Sequence, residues 1–162
     1  MPYWLLLKIL NANPDRGTPL SEEEVKEFLS TKLLNLHLGT VDGNGHAIIS
    51  PVGYYYNHSN YKFYILTGKE SKKTYNLRKN PTVYYCVDDP AFPYKGVRGK
   101  GTARILEDVK FNISIWEKLM LRYWGNLEHP IALATRDETK TGKSIVLEIS
   151  PTYFSTWDYS KY

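Results

Sequence analysis

The sequence of 162 residues contains a single cysteine, Cys86. One cysteine cannot form an intrachain disulfide, and no group of cysteine and histidine residues has the spacing of a zinc site. The apolar run at residues 4–10 is far shorter than the roughly 20 residues that cross a bilayer, and it lacks the flanking features of a signal peptide. The sequence therefore predicts a cytoplasmic protein without a disulfide, a metal site or a membrane segment.

The chain also lacks the composition of a disordered protein. Hydrophobic residues make up 42% and charged residues 23% of the sequence, which is ordinary for a globular protein. The length predicts a single domain over residues 1–162, with residues 1–20 as a peripheral extension. Tyrosine is the commonest aromatic residue, with 14 copies against 5 phenylalanines and 4 tryptophans, and this composition favours β-structure.

Positive charge is in small excess, and it is concentrated in two short segments. The formal net charge is +4, which favours an anionic partner without identifying it. Residues 69–80 have five basic and one acidic side chain, and residues 95–104 have four basic side chains and no acidic one. The first segment suggests a small-anion site, and the second the solvated face of a strand.

Alternating apolar residues and turn signals predict a mainly β protein. The predicted strands are residues 34–40, 46–56, 61–67, 82–87, 95–106, 145–149 and 153–157, and the second of them is gently broken at Pro51 and Gly53. The predicted helices are residues 22–29, 71–79 and 109–124, with a polar loop from there to residue 142. Hairpin-linked strands without alternating βαβ units indicate an antiparallel barrel with short peripheral helices.

The segment from Thr67 to Lys73 leads from a strand directly into a helix. Ser71 is positioned to cap this helix, whose unpaired first-turn amides and dipole favour an anion. Lys72 and Lys73 add positive charge, and Thr67 adds a hydroxyl group. The pattern alone is more often that of a capped surface helix with solvated lysines, and the glycine spacing of a Walker loop is absent. Phosphate binding is the functional interpretation.

Motifs across residues 20–160 occur together in an order and spacing that resemble a known family. They are residues 46–56, 63–67, 71–73, 76–81, 84–90, 94–97, 101–103 and 149–151, with Trp157 six residues after Pro151. The family is the pyridoxamine 5′-phosphate oxidase-like superfamily of FMN-binding split β-barrels. The resemblance implies a six-stranded antiparallel split β-barrel that forms a homodimer, with FMN in the groove between the subunits.

The same resemblance implies contacts to the phosphate and the ribityl chain of FMN. Ser71, Lys72 and Lys73 match the phosphate-binding run of the family. Leu66 and Thr67 match the end of the strand that lies beneath the ribityl chain.

Contacts to the isoalloxazine ring are implied in the same way. The backbone edge that faces the ring matches Ser50, Pro51 and Val52. A polar cofactor contact matches Lys95 and Gly96, and a tryptophan beside the flavin matches Trp157. The cofactor supplies the redox chemistry in such proteins, so no side chain is predicted to be the catalyst.

One departure from the family bears on the substrate. In the oxidase, an Arg-x-His run follows the tryptophan and contacts the vitamer, whereas residues 158–162 here are Asp-Tyr-Ser-Lys-Tyr. We therefore expect an FMN-dependent oxidoreductase that acts on another small molecule. A deazaflavin coenzyme in the same site and a flavin-binding protein without turnover are the alternatives within this fold.

A basic β-barrel that binds single-stranded nucleic acid is the alternative from another class. Bases could stack on the tyrosine run 54–56, beside Arg98, Lys100 and Arg104. Successive strand residues point to opposite faces, however, so only Tyr54 and Tyr56 share a side. Core or interface packing is the favoured interpretation of these tyrosines, and no nucleic-acid partner is expected.

Overall fold

Nine strands lie in one curled, mainly antiparallel sheet within residues 7–162, the part of the chain that the computed structural model describes. The strands are β1 (Lys8–Asn11), β2 (Leu36–Val41), β3 (Ala47–Val52), β4 (Tyr55–Asn57), β5 (Lys62–Gly68), β6 (Thr82–Asp89), β7 (Lys95–Leu106), β8 (Ser144–Pro151) and β9 (Tyr153–Asp158). The helices are α1 (Glu22–Thr31), α2 (Lys72–Lys79), α3 (Val109–Trp124) and α4 (Pro130–Lys140), and a 3-10 turn covers Tyr159–Lys161. The predicted split-barrel fold class is confirmed.

The longest strand, β7, links the two halves of the sheet. The order of paired strands is β3-β2-β6-β7-β8-β5-β4. Along one edge β7 pairs with β6, and along the other it pairs first with β9, over Lys95–Arg98, and then with β8, over Gly101–Leu106. β1 extends the β9 side in a parallel pairing. The strands β8 and β9 therefore diverge at the middle of β7, which splits the barrel.

Close packing of the barrel wall requires glycine in β7. Val97, Gly99 and Gly101 are buried while Arg98 and Lys100 are exposed, as the alternation predicts. A methyl group at Gly99 would lie 2.2 Å from the carbonyl oxygen of Tyr153. Only glycine lets the start of β9 approach β7 this closely.

Aromatic rings fill the interior of the barrel. Phe63 lies 5.1 Å, between ring centroids, from both Tyr56 and Tyr85, and 5.6 Å from Tyr54. The Tyr54 hydroxyl donates to the carbonyl of Leu29 at 2.9 Å. Burial raises the pKa of both the Tyr54 and the Tyr56 hydroxyl, so both remain neutral. Their rings are inside the core, which rules them out as a platform for stacked bases.

The strand predicted over residues 46–56, with gentle breaks at Pro51 and Gly53, is wrong as one element, because the chain changes partner at Gly53 and forms two strands. β3 pairs with β2, whereas β4 pairs with β5. At the break, the Tyr123 hydroxyl accepts a hydrogen bond from the Tyr54 amide at 3.0 Å. The Tyr123 ring lies 3.1 Å from where a methyl group on Gly53 would be. A side chain from α3 thus replaces a neighbouring strand. The predicted break at Gly53 marks the place, but the local sequence does not indicate the change of partner.

The polar loop predicted before residue 142 is also wrong, because it contains α4. His129 caps this helix, its Nδ1 accepting from the Ile131 amide at 3.3 Å, and Pro130 occupies the first turn. The indole of Trp116 in α3 donates to the Ala132 carbonyl at 3.0 Å. α4 has few buried residues, so its apolar periodicity was too weak to predict it. The strand β1 was not predicted either.

None of the helices in residues 7–162 is both long and apolar enough to cross a bilayer.

The end of α3 fixes the end of α1. The Arg122 guanidinium donates to the carbonyl of Leu29 at 3.1 Å, to that of Lys32 at 2.6 Å and to that of Ser30. Its carbon lies 5.1 Å from the centroid of the Tyr54 ring. One positive side chain thus satisfies carbonyls at the negative end of a helix, where a cation is favoured.

We expect Arg122→Ala to lower the free energy of unfolding by about 2–3 kcal/mol, because it leaves part-buried carbonyls without a charged donor. Urea denaturation measures the change. Lys118→Ala is the control, because Lys118 is an exposed cation one turn earlier in α3, and it should cost less than about 0.5 kcal/mol. Equal losses in the two variants would contradict the capping role.

Candidate cofactor-binding site

The junction of β5 and α2 brings hydroxyl groups and an ammonium group together. Ser71 caps α2, its Oγ accepting from the Thr74 amide at 3.4 Å and lying 2.9 Å from the Thr74 hydroxyl. The Lys73 ammonium donates to the Thr67 hydroxyl at 3.1 Å. The Thr74 hydroxyl donates to the Gly68 carbonyl at 3.1 Å, which ties the end of the strand to the first turn of the helix. We call Thr67, Ser71, Lys72 and Lys73 the helix group.

Positive charge at this junction is only partly neutralised. Lys69 pairs with Glu107 at 2.8 Å and Arg78 with Glu70 at 3.6 Å. Within residues 7–162, neither Lys72 nor Lys73 forms an ion pair with a carboxylate. Burial lowers the pKa of the Lys73 ammonium, so an anion next to it would favour its charged form.

The donor set of the helix group suits a phosphate. Two hydroxyl groups, two ammonium groups and the unpaired amides of a helix start belong to this junction, and α2 has no acidic residue in its first turn. Phosphate oxygens accept such hydrogen bonds, and the helix dipole favours a negative charge there. The residues present therefore fit a phosphate-bearing cofactor.

The helix α2 is anchored to the neighbouring sheet. The Asn76 side chain donates to the Thr40 hydroxyl of β2 at 3.1 Å, and both residues are buried. Thr40 pairs with Ile48 of β3, two residues before Ser50. This contact holds α2 against β2, the strand that pairs with β3.

The predicted ring-facing strand is β3, an end strand of the sheet. It pairs with β2 on one side, in the register Ser50 with Leu38 and Val52 with Leu36, and no second strand of residues 7–162 pairs with its other side. Pro51 is exposed, whereas the Val52 side chain packs against the barrel core. The unpaired backbone edge of β3 offers amide and carbonyl groups to a ligand.

Leu66 is oriented differently from its neighbour Thr67. Alternation along β5 turns the Leu66 side chain toward the cluster between the sheet and α3, with Trp116 and Val146. Only the backbone of Leu66 is available on the side of Thr67. The two residues at the predicted strand end thus differ in what they can offer a ligand.

Lys95, Gly96 and Trp157, which we call the tryptophan group, lie together where β7 pairs with β9. Gly96 is paired with Trp157, and a methyl group at Gly96 would lie 2.2 Å from the indole Cζ2. The Lys95 ammonium lies 3.3 Å from a carboxylate oxygen of Asp158. The Arg98 guanidinium carbon lies 5.8 Å from the centroid of the Trp157 ring. The indole therefore packs against backbone that only glycine leaves open.

The helix group and the tryptophan group lie at opposite ends of β7 in one subunit. Gly96 is near the beginning of this strand, whereas its last residue, Leu106, pairs with Val146. Gly68 pairs with Ser144, which lies beyond that end. At about 3.3 Å per residue, β7 is roughly 35–40 Å long along the chain. The predicted site residues therefore form two separate groups within one chain.

A shallow cavity on the outer face of the sheet was not predicted. Its volume is about 600 Å³, and its lining includes Ile49, Tyr84, Cys86 and Arg98. Ile49 and Tyr84 are 63% and 54% exposed. Burial, with a smaller effect of Asp88, raises the pKa of the Cys86 thiol to about 11, which fits an unreactive cysteine. Apolar residues at outward positions of β3 and β6 were the available sequence signal for this face.

No group of metal-ligating side chains capable of holding an ion occurs in residues 7–162.

Comparison with known protein families gives one match over most of the chain. The sequence profile described as pyridoxamine 5′-phosphate oxidase matches residues 21–158. Among curated proteins, no sequence is significantly similar to this chain.

Solved structures share the fold. A conserved hypothetical protein from Mycobacterium tuberculosis has a TM-score of 0.77 at 21% identity, over 92% of this chain and 90% of its own. A protein named F420 reductase has a TM-score of 0.63 at 25% identity, over 80% of this chain and 94% of its own. A FAD-binding protein from Mesorhizobium loti has a TM-score of 0.60 at 20% identity, over 85% of this chain and 94% of its own.

We expect Gly96→Ala to destabilise the protein by about 1–3 kcal/mol, because the added methyl group overlaps the Trp157 ring. Chemical denaturation measures the loss. Gly43→Ala is the control, since no heavy atom lies within 4 Å of the methyl group it would add. In a Trp157→Ala background the cost of Gly96→Ala should disappear, and a cost that persists there would mean that the indole is not the obstacle.

Proposed function

Because this chain belongs to the pyridoxamine 5′-phosphate oxidase family, we propose that it binds FMN and acts as a flavin-dependent oxidoreductase on a small molecule. The observation that carries the proposal is the helix group, in which Lys73 and Ser71 converge with Thr67 at the start of α2. The phosphate of the cofactor would lie there. The bound flavin would supply the electron transfer, and the protein would bind and orient it.

The unpaired charge of the helix group favours FMN over a deazaflavin coenzyme. The terminal phosphate of FMN is a monoester, whose charge approaches −2 at neutral pH. Lys72 and Lys73 supply two positive charges that no carboxylate of residues 7–162 neutralises. The phosphate of a deazaflavin coenzyme is a diester, and the phosphate group itself carries a single charge. Two ammonium groups complement the monoester more closely.

A second copy of the chain would complete the site. The helix group and the tryptophan group lie at opposite ends of β7, so a single flavin can contact both only if they come from different subunits. The outer face with Ile49 and Tyr84 offers exposed apolar side chains for such an interface. We therefore propose a homodimer with the flavin between the helix group of one subunit and the tryptophan group of its partner.

We expect Lys73→Met to weaken FMN binding roughly 10- to 100-fold, as the loss of one charge-assisted hydrogen bond predicts. Riboflavin, which has no phosphate, should bind the variant and the original protein equally. Fluorescence titration measures both affinities. Lys79→Met is the control, because Lys79 lies at the other end of α2 with its ammonium 4.6 Å from the centroid of the Tyr75 ring.

Three outcomes of this titration differ in meaning. If the ratio of FMN affinity to riboflavin affinity is the same in Lys73→Met and the original protein, the phosphate does not bind at the helix group. Binding of deazaflavin coenzyme in preference to FMN would replace the cofactor while keeping the site. A protein that binds none of these compounds would contradict the flavin function itself.

We expect Ile49→Glu to convert a dimer into a monomer and to abolish FMN binding, because a charge would be buried at the interface. Sedimentation velocity measures the mass. Ile131→Glu is the matched control, since Ile131 is 47% exposed on α4, away from the outer face of the sheet. A protein that is monomeric but binds FMN tightly would contradict the shared site.

A further inference from the structure

A second cavity lies between the end of β7 and the start of α3. Its volume is about 390 Å³, and its lining includes Tyr64, Arg104, Leu106, Asp108, Phe111 and Glu148. Ligand pockets in proteins commonly have volumes of about 300–1,000 Å³. Tyr64 and Leu66 of β5 face α3, whereas Thr67 points to the other face of that strand. The cavity, which we call the α3 cavity, is therefore separate from the helix group.

A buried carboxylate lines the α3 cavity. Glu148 of β8 is 6% exposed, and it is paired in the sheet with Tyr64 of β5 on one side and with Arg104 of β7 on the other. The Tyr64 hydroxyl donates to Glu148 Oε2 at 3.2 Å, and the Lys62 ammonium lies 3.0 Å from Oε1. Lys62 alone is enough to neutralise the charge of this carboxylate.

The Arg104 guanidinium is only partly used by Glu148. Its Nε lies 3.3 Å from Glu148 Oε1, and its side chain is 71% exposed. Within residues 7–162, neither of its two terminal nitrogens donates a hydrogen bond. A guanidinium binds a carboxylate through two parallel hydrogen bonds. Because Lys62 already neutralises Glu148, Arg104 has a positive charge and free donors for a carboxylate of a ligand.

Asp108 supplies the opposite charge at the same cavity. Its Oδ1 caps α3 by accepting from the Phe111 amide at 2.6 Å. In the described part of the chain, no cation pairs with this carboxylate. The other carboxylate nearby, Glu107, is neutralised by Lys69 at 2.8 Å. Lys110, which is exposed in the first turn of α3, does not line the cavity. One positive and one negative group therefore remain for a ligand.

An aromatic ring gives the α3 cavity an apolar wall. Phe111 is 37% exposed, and its ring centroid lies 5.7 Å from that of the buried Tyr64 in an edge-to-face contact. Ile105 and Leu106 add aliphatic side chains to the lining. The uncovered part of the Phe111 ring can pack against an apolar group of a ligand.

We propose that the α3 cavity binds a free α-amino acid with an apolar side chain. The α-carboxylate would bind Arg104, the α-ammonium group would bind Asp108, and the side chain would pack on Phe111. A simple anion would be repelled by Asp108, and a simple amine would be repelled by Arg104, whereas a zwitterion complements both charges. This site uses no residue of the helix group or the tryptophan group, so the inference goes beyond the proposed function and does not rest on it.

Equilibrium dialysis of the full chain without FMN tests the proposal with three related compounds. L-phenylalanine carries both charged groups, 3-phenylpropanoate lacks the ammonium group, and 2-phenylethylamine lacks the carboxylate. We expect L-phenylalanine to bind roughly three- to tenfold more tightly than either analogue, as the modest strength of an exposed ion pair predicts. This comparison uses the original protein, so it does not depend on the folding of any variant.

Two variants test the two charged groups separately. Asp108→Ser keeps a capping side chain but removes the charge, and Arg104→Lys keeps a cation beside Glu148 but removes the planar donor pair. Each should weaken binding of L-phenylalanine roughly three- to tenfold. In Asp108→Ser, L-phenylalanine and 3-phenylpropanoate should bind equally. Arg98→Lys is the matched control, because Arg98 is exposed on the same strand and does not line the α3 cavity, and it should leave the binding unchanged.

Three results would overturn the proposal. If either analogue binds as tightly as L-phenylalanine, the cavity does not recognise a zwitterion. If Asp108→Ser and Arg104→Lys keep the affinity of the original protein, the amino acid binds elsewhere. If L-phenylalanine does not bind at concentrations up to about 10 mM, the cavity is not an amino-acid site. None of these results would change the affinity for FMN, on which the proposed function depends.

Discussion

The fold depends on a single strand that must pair with two others along the same edge. β7 meets β9 over its first residues and β8 over its last ones. Between them the chain turns at Thr152, whose amide donates to the Lys100 carbonyl at 2.8 Å. Gly99 and Gly101 flank that point, and a methyl group on either would come within 2.7 Å of a backbone oxygen. The split of the barrel therefore requires two positions without side chains, and the separation of the helix group from the tryptophan group follows from it.

The features that local sequence could predict are those with local causes. Ser21 and Glu24 form the capping box that begins α1, and Ser71 caps α2. The alternating pattern of β7 predicted which of its residues are buried and which are exposed, because successive side chains of a strand point to opposite faces. Local sequence predicted a gentle break at Gly53, but the change of strand partner there depends on Tyr123, which is distant in sequence and belongs to α3. Likewise, α4 is stabilised by Trp116 of α3 rather than by an apolar face of its own.

The candidate site also has one part that local sequence predicts and one part that it does not. The clustering of Thr67, Ser71 and Lys73 follows from one strand-to-helix junction, so a short stretch of sequence was enough to predict it. The distance between that junction and Trp157 depends on how far β7 runs, which no single motif specifies. Counting charges by sequence segment was also incomplete, because it does not show which basic side chains pair with carboxylates elsewhere in the chain. Of the basic residues 95–104, Lys95 pairs with Asp158 and Arg104 with Glu148, so half of that segment's positive charge is compensated by residues far along the chain.

The position of the two groups at opposite ends of β7 has a genetic consequence. In the proposed dimer, each site draws on two polypeptides, so a defect in the helix group and a defect in the tryptophan group on different chains need not affect the same site. A mixed dimer of two such chains would contain one site with both defects and one site with neither. Two inactive alleles could then complement each other in one cell, up to half the activity of the intact dimer.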